Sequence, residues 1–304
     1  MKVFKKALCS LLCLLLTALL VWGGTVFCYY PHYKKAQMSV TPTLTTQSGA
    51  VRVMSANLRC FNPQDVGKKS WFYRADLILK NIEQQAPSVI GFQEATKWQY
   101  SYLCKALPGY DSLITYRDKS PFSEGCPIFY STELYELIDK GSFWLSETPE
   151  RMSRDWDSKC YRICSYVILA DKTNGQQFVV FNTHLDHVSD EARINGIGVV
   201  LDKIQQFGGL PSMIMGDFNA EEDSETYRSA TESFLDAKYQ TENTIGLHSA
   251  TYQNWGESLD RNPIDYLMIS KTGFTVEQYK VVDTTYDGVY PSDHFPILVD
   301  LVLE

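Results

Sequence analysis

The sequence predicts an α/β fold in which two packed, mixed β-sheets are flanked by helices, and three observations carry that expectation. Apolar runs of strand length enclose a helix-length segment early in the chain, two later runs are joined across an Asn-Gly pair, and strand-like runs recur to the C-terminus. Strand–helix–strand units pair in parallel and hairpins pair antiparallel, so a chain holding both builds mixed sheets whose apolar faces must be covered by another layer.

The elements follow in order. V-R-V-M-S-A-N from Val51 and S-V-I-G-F-Q-E from Ser88 are the short, nearly continuous apolar runs of buried strands. Between them, Trp71 to Gln85 spaces Phe72, Ala75, Ile78, Leu79 and Ile82 at helical intervals, and Pro87 closes that helix. Y-V-I-L-A-D-K-T-N-G-Q-Q-F-V-V-F-N-T-H is a hairpin about Asn174-Gly175, and its second strand delivers His184. A helix is expected from about Glu191 to Phe207, followed by strands in L-P-S-M-I-M-G-D-F-N, P-I-D-Y-L-M-I-S and F-P-I-L-V-D-L-V-L. No internal repeat or second boundary interrupts residues 51–304, which read as one domain.

Composition agrees with a large globular core: 44% of the 304 residues are hydrophobic and 21% charged. Met1 to Ala50 holds five basic residues and no acidic one, so the domain is more acidic than the chain's net charge of −8. That balance disfavours an enzyme gripping many nucleic-acid phosphates. At the N-terminus, Lys2, Lys5 and Lys6 precede an uncharged run from Ala7 to Tyr30, long enough for the roughly 20 residues that cross a bilayer. Gly23, Gly24 and Thr25 make a weak cleavage site, so residues 1–30 read as an uncleaved, single-pass anchor, with secretion after cleavage as the alternative. The lysines put that end in the cytoplasm and the domain outside. Residues 31–50, rich in Thr, Ser and Pro, read as a solvated spacer. Cys60, Cys104, Cys126, Cys160 and Cys164 are odd in number, which allows at most two bridges and one free thiol, and their spacing is not that of a zinc site.

Five segments end apolar runs and deposit chemistry there: S-A-N-L-R (Asn57), G-F-Q-E-A (Glu94), N-T-H-L-D-H (His184), M-G-D-F-N-A (Asp217, Asn219) and P-S-D-H-F-P (Asp293, His294). Carboxylates, amides and histidines supplied by separate strand ends are what a hydrolase needs to converge a metal, a base and an acid on one phosphate. Glu94 offers hard oxygens to a divalent cation, though a charged strand terminus looks the same. Asp217 and Asn219, two apart, can align a water and contact a phosphate oxygen, while an isolated D-x-N is more often an Asx turn. His294 beside Asp293, with Asp265 as a further carboxylate partner, can be kept protonated to stabilise charge on phosphorus. His184 can assist the leaving oxygen.

That ordered set resembles the endonuclease/exonuclease/phosphatase superfamily of metal-dependent phosphodiesterases, from about Val51 to Leu303. The resemblance implies a four-layer α/β sandwich of the DNase I-like kind with the site at one end of both sheets. It implies Mg²⁺ or Mn²⁺ held chiefly by Glu94, with Asn57 and Asp293 beside it, Asp217 aligning water, and His294 paired to Asp265. Arg59 stands where some nuclease members carry an acidic residue, which weakens a second metal position. G-S-F-W-L-S-E-T-P-E, W-D-S-K-C-Y-R-I-C and N-T-H-L-D-H-V-S-D-E-A-R are similar to an uncharacterised bacterial branch, where Arg162 matches a phosphate-gripping Arg, an interstrand ion pair being the plain alternative. Asp186, His187, Glu124 and Trp144 can extend the polar wall, but packing or surface roles suit them better. The expectation is a membrane-anchored, extracytoplasmic, metal-dependent phosphodiesterase using in-line water attack on a small ester, a phospholipid head group or nucleic acid. The alternatives are an extracellular nuclease and a catalytically silent binding module. No obligate protein partner is indicated.

Overall fold

Two sheets stack face to face, and their strand order follows from the pairing the sequence allows. The computed structural model describes residues 2–35, 38–45, 47–246 and 250–304. The first sheet runs, in spatial order, Thr244–Ile245, Phe274–Val281, Ile297–Leu303, Ala50–Asn57, Val89–Gln93, Ile128–Ser131 and Tyr110–Leu113. The second runs Phe234–Asp236, Asp265–Ser270, Ser212–Asp217, Gln177–His184, Ile163–Asp171 and Tyr135–Trp144. Each sheet has a central parallel pair, Ala50–Asn57 with Val89–Gln93 and Gln177–His184 with Ser212–Asp217, and antiparallel neighbours outside it.

Side-chain alternation builds four layers. Val51, Val53 and Val89 of the first sheet meet Val167, Leu169, Val180, Met213, Met215 and Leu267 of the second in the central core. Met54, Ala56, Ile90 and Phe92 point the other way, onto the Trp71–Gln85 and Lys97–Ala106 helices through Ala75, Ile78, Leu79, Ile82 and Leu103. Val179, Phe181, Ile214 and Met268 turn outward onto Ile197 and Val200 of the Asp190–Gln205 helix and Ala230 of the Glu225–Ser233 helix. The result is the four-layer α/β sandwich.

A buried polar bridge crosses the central core where it nears the site. Gln93 Nε2 donates to Asn182 Oδ1 (2.7 Å) and Ser55 Oγ (3.1 Å), while Asn182 Nδ2 donates to the carbonyls of Phe92 and Pro127 (both 2.8 Å). Gln93 and Asn182 have no solvent exposure, so water cannot replace these bonds, and Gln93 Oε1 is left without a partner.

Trp71–Gln85 forms as expected, ending at Ala86 in the left-handed conformation. The hairpin about Asn174-Gly175 also forms, with Ala170 paired to Gln177. The strand Tyr135–Trp144 was not anticipated: it is an edge strand whose outward charges, Glu136, Asp139 and Lys140, hide its inward apolar face. The N-terminal helix runs Lys2–Lys35, further than residue 30, and its Phe4–Gly24 stretch is apolar and long enough to cross a membrane, with none of it buried. Of the expected spacer 31–50, residues 36, 37 and 46 lie outside the described residues. Within the rest, Val40 is buried and donates its N–H to the Ala106 carbonyl (2.8 Å) and Leu44 rests on the central core, while Ser39, Thr41, Thr43, Thr45, Gln47 and Ser48 are exposed. Its apolar positions, isolated among Thr and Ser, form no periodic pattern. The five domain cysteines are all free thiols, so no bridge forms among them.

Asn182→Leu should cost roughly 2–4 kcal/mol of stability, because it removes the nearest acceptor of the Gln93 amide and the donor to the Phe92 and Pro127 carbonyls in a dry layer. Denaturant unfolding followed by circular dichroism checks this, and a change under about 0.5 kcal/mol would remove the bridge from its role.

Candidate active site

The pairing register brings the predicted side chains to one end of the sandwich. Asn57 pairs with Gln93 at the ends of the parallel strands of the first sheet, and Glu94 follows at φ 59°. In the second sheet Asp217 lies between His184 and Asp265, its ladder partners on either side. Asp293 and His294 enter just before Ile297–Leu303, which runs antiparallel to Ala50–Asn57. Parallel strands finish where their antiparallel neighbours start, so eight residues remote in sequence share one edge. Arg59 (φ 55°), Glu94 and Asn219 (φ 50°) hold the left-handed conformation that non-glycine residues seldom adopt, bending the chain away from the ladder as the strands end. Gly216, at φ 146°, lets Asp217 reach this edge because any side chain there would strike the Thr183 carbonyl.

Hydrogen bonds fix how each group faces. Asn57 Oδ1 accepts from the Arg59 backbone N–H (2.9 Å), which turns Nδ2 toward Asp217 Oδ2 (3.0 Å) and Glu94 Oε1 (3.2 Å). Asn57 therefore braces two carboxylates with its donor, rather than offering its oxygen to a cation as expected. Glu94 Oε2 accepts from the Cys60 N–H (2.8 Å). Asp217 Oδ1 accepts from the Asn219 N–H (2.9 Å), the Asx turn foreseen as the plain explanation of D-x-N, and this same turn leaves Oδ2 to the site. Asn219 Nδ2 donates to the Leu185 carbonyl (3.1 Å), which settles the amide's orientation and directs its other hydrogen to His184 Nε2 (3.0 Å). His184 is thus a neutral acceptor at Nε2, and Asn219 directs one donor to it and the other to the Leu185 carbonyl. His294 Nδ1 sits 2.8 Å from Asp265 Oδ2, with its Nε2 3.8 Å from Asp217 Oδ2.

The electrostatics separate these groups into distinct states. Burial alone would protonate Glu94, but the Cys60 N–H, His294, Asn57 and Arg59 hold it below the usual carboxylate range. Burial and the neighbouring Asp265 push Asp217 up to about 7. Burial pulls His294 down, yet Asp265, Asp217 and Asp293 outweigh it and bring the imidazole to about 10, so it is positively charged at neutral pH. His184 falls well below 6.5 through burial and the charges of Arg162 and Arg117. A poised carboxylate beside a fixed imidazolium is an arrangement that can take a proton from water and stabilise negative charge on phosphorus.

These groups line a cavity of about 560 Å³, shared with Arg59, Cys60, Arg117, Glu124, Cys160, Arg162, His187, Tyr252 and Arg261. The donor set fits a hard divalent cation: Glu94, Asp217 and Asp293 all reach it with carboxylate oxygens. Asp217, Asp265 and His294 also lie close enough to share an ion, but His294 is bonded to Asp265 and positively charged, which leaves Glu94 and Asp293 as the better ligands. Arg59 Nε, 3.8 Å from Asp293 and bonded to Asp65 (3.0 Å), adds a positive charge that disfavours a second cation.

Arg162, His187 and Glu124 line the cavity, whereas Asp186 and Trp144 do not. Asp186 accepts the backbone N–H groups of Val188 and Ser189 (3.0 Å each) and organises its loop, and Trp144 donates Nε1 to the Arg117 carbonyl (2.8 Å). Arg117, Tyr252 and Arg261 were missed in the sequence because each sits in an irregular segment with no apolar run to point to it. A buried Arg was missed too: Arg74 donates to the carbonyls of Leu58, Arg59, Lys69 and Pro291 and so ties the loop after Asn57 to the one before Asp293.

Comparison with known proteins places this arrangement in context. A family model described as the Endonuclease/Exonuclease/phosphatase family matches residues 54–294. The chain is similar to an endonuclease/exonuclease/phosphatase structure from Bacteroides vulgatus, with a TM-score of 0.80 and 31% identity over 84% of this chain and 99% of that one. It is similar to a mannosyl-6-phosphatase from Bacteroides thetaiotaomicron, with a TM-score of 0.78 and 32% identity over 83% of this chain and 100% of that one. Nocturnin of Mus musculus is 23% identical over 309 residues, covering 89% of this chain and 70% of its own length.

The raised His294 value has a signed consequence. Stability drawn from this charge is full below the ordinary value of 6.5 and is lost as pH rises toward about 10. In Asp265→Asn, nitrogen NMR of cation-free protein should show the imidazole titrating about 1–3 pH units lower, with the stability loss greatest near neutrality and shrinking in alkali. An unshifted titration would separate Asp265 from His294.

Proposed function

The chain belongs to the endonuclease/exonuclease/phosphatase family of phosphoric ester hydrolases, and from that premise we propose that it hydrolyses a small phosphoric ester, diester or monoester, by metal-assisted in-line attack of water. The observation that carries this reading is the convergence of Glu94, Asp217, Asp293, His184 and His294 from both sheets on one cavity.

Each residue then has a role set by its state. Glu94 and Asp293 would hold Mg²⁺ or Mn²⁺, which when bound neutralises charge on the ester and so lets an anion approach the carboxylates. Asp217, poised near 7, orients the attacking water and takes its proton. His294, charged and held by Asp265, stabilises the negative charge that develops on the phosphoryl oxygens. Asn57 keeps Glu94 and Asp217 apart yet bridged, and Asn219 fixes His184 with its hydrogen-bearing nitrogen, Nδ1, available to substrate. Arg162, 5% exposed in its side chain and 3.7 Å from Asp186, supplies a fixed guanidinium to the substrate.

A small substrate is favoured by the confined polar cavity, by the acidic domain and by the relative named a mannosyl-6-phosphatase. The Lys2–Lys35 helix is read as a single-pass anchor, its lysines at the cytoplasmic end and the domain outside.

The test is hydrolysis by the full chain in detergent, with Mg²⁺ or Mn²⁺, of sugar phosphates, nitrophenyl mono- and diesters, phospholipids, DNA and RNA. Small esters should turn over, Asp217→Asn should lower the rate by about a thousandfold without unfolding the protein, and Glu94→Gln should recover in part at high Mn²⁺. Preference for DNA or RNA would make it a nuclease instead, and metal-independent or absent turnover would sink the proposal.

A further inference from the structure

Part of the cavity wall does no evident work in the displacement, yet it is built as firmly as the reactive edge. Arg117 Nη2 donates to Glu124 Oε1 at 2.8 Å, both side chains being under one-fifth exposed. Their backbones also pair, Arg117 N–H to the Glu124 carbonyl at 2.9 Å. This small hairpin is pinned to the first sheet's side by the Thr96–Glu124 pairing, two residues beyond Glu94, and to the second sheet by Trp144 Nε1 on the Arg117 carbonyl (2.8 Å). Arg162 stands nearby, its Nη2 on His187 Nδ1 at 3.0 Å. Burial and Glu94 raise the Glu124 carboxyl, while Arg117 and Arg162 oppose them, so the four groups share one neighbourhood.

The wall is not satisfied by the protein itself. Nε of both Arg117 and Arg162 is buried without a hydrogen-bond partner, facing only a carboxylate 3.7 Å away (Asp118 and Asp186), and among the described residues Nη1 of each and Oε2 of Glu124 make no hydrogen bond. Buried guanidiniums with spare donors carry a desolvation cost that a ligand would remove. Spare donors beside a spare acceptor match a group that both accepts and donates, which is what neighbouring hydroxyls do. An anion has no hydrogen to donate to the Glu124 carboxyl oxygen left over beside the guanidiniums. A nucleobase would call for an aromatic face, and among the described residues Tyr252 is the sole Phe, Trp or Tyr lining the cavity, where it packs on the His294 ring at 5.0 Å.

We infer that Arg117 and Glu124, with Arg162 beside them, form a subsite for the alcohol portion of the substrate and select a polyhydroxylated alcohol. This rests on the phosphoric ester hydrolase proposed above and names the class of ester it takes. Hydroxyls of the alcohol accept from the Arg117 and Arg162 guanidiniums and donate to Glu124. An ester lacking them leaves the spare donors and the spare acceptor unmatched, so the discrimination appears as a difference in kcat/KM between esters.

The experiment compares hexose 6-phosphates and glycerol phosphate with ethyl phosphate and nitrophenyl phosphate, using the full chain in detergent with Mn²⁺. Wild type should favour the hexose phosphates over ethyl phosphate by about a hundredfold or more in kcat/KM. Glu124→Gln and Arg117→Lys, each close to the native shape and checked by melting temperature, should lose at least about tenfold more on hexose phosphates than on ethyl phosphate, chiefly through KM. Turnover of every ester without a polyol preference, or equal losses on both classes, overturns the subsite and leaves the hydrolase standing. No turnover of any ester by wild type overturns both.

Discussion

The Gln93–Asn182 bridge is the constraint on which the site depends, because the site is divided between two sheets that apolar packing alone would leave free to slide. Asn57, Glu94, Asp293 and His294 belong to the first sheet, and His184, Asp217, Asn219 and Asp265 to the second. Hydrophobic contact is non-directional and tolerates small shifts of one layer over another. Two amides sharing four hydrogen bonds with Ser55, Phe92 and Pro127 do not, since any slide strands buried polar groups. Gly91 adds to this: a side chain there would run into Met215 of the facing sheet, so the layers lie close beside the bridge. The 3.0 Å contact from Asn57 to Asp217 then spans the sheets at their edge.

Concentrating four carboxylates in a buried edge is costly unless each is given a different environment. Glu94 and Asp217 each receive a backbone N–H and the Asn57 amide, Asp265 an imidazolium and Asp293 the charge of Arg59, but Asp217 also lies against the Asp265 carboxylate, which together with burial raises it. That inequality gives the residue proposed as base a proton affinity near neutral and leaves the proposed cation ligand Glu94 ionised. Arg74 works from beneath, a buried cation whose donors go to four carbonyls and whose charge reaches Asp293.

How far the sequence revealed this depended on whether a residue was reported by a local period. Trp71–Gln85 and the hairpin about Asn174-Gly175 were legible because helical spacing and turn chemistry are written within a few residues. The strand-end motifs were legible for the same reason, since Glu94, His184 and Asp217 each terminate an apolar run. Tyr135–Trp144 was hidden by its edge charges, and Val40 by the lack of any periodic neighbour. Arg117 and Tyr252 reach the cavity through tertiary pairing, which no local pattern encodes, whereas Glu124 was named from the sequence as a candidate for the wall. The orientation of Asn57 and Asn219 was equally out of reach, because it is set by which backbone groups their oxygens and hydrogens meet.

The central claim is a single displacement by water at phosphorus, with no covalent enzyme intermediate. The stereochemical course of hydrolysis in heavy-oxygen water, on an ester made chiral at phosphorus, tests it most directly. Inversion of configuration is the predicted result, as one in-line attack requires. Retention would mean two successive displacements through a side-chain ester, and would contradict the roles given to Asp217 and His294.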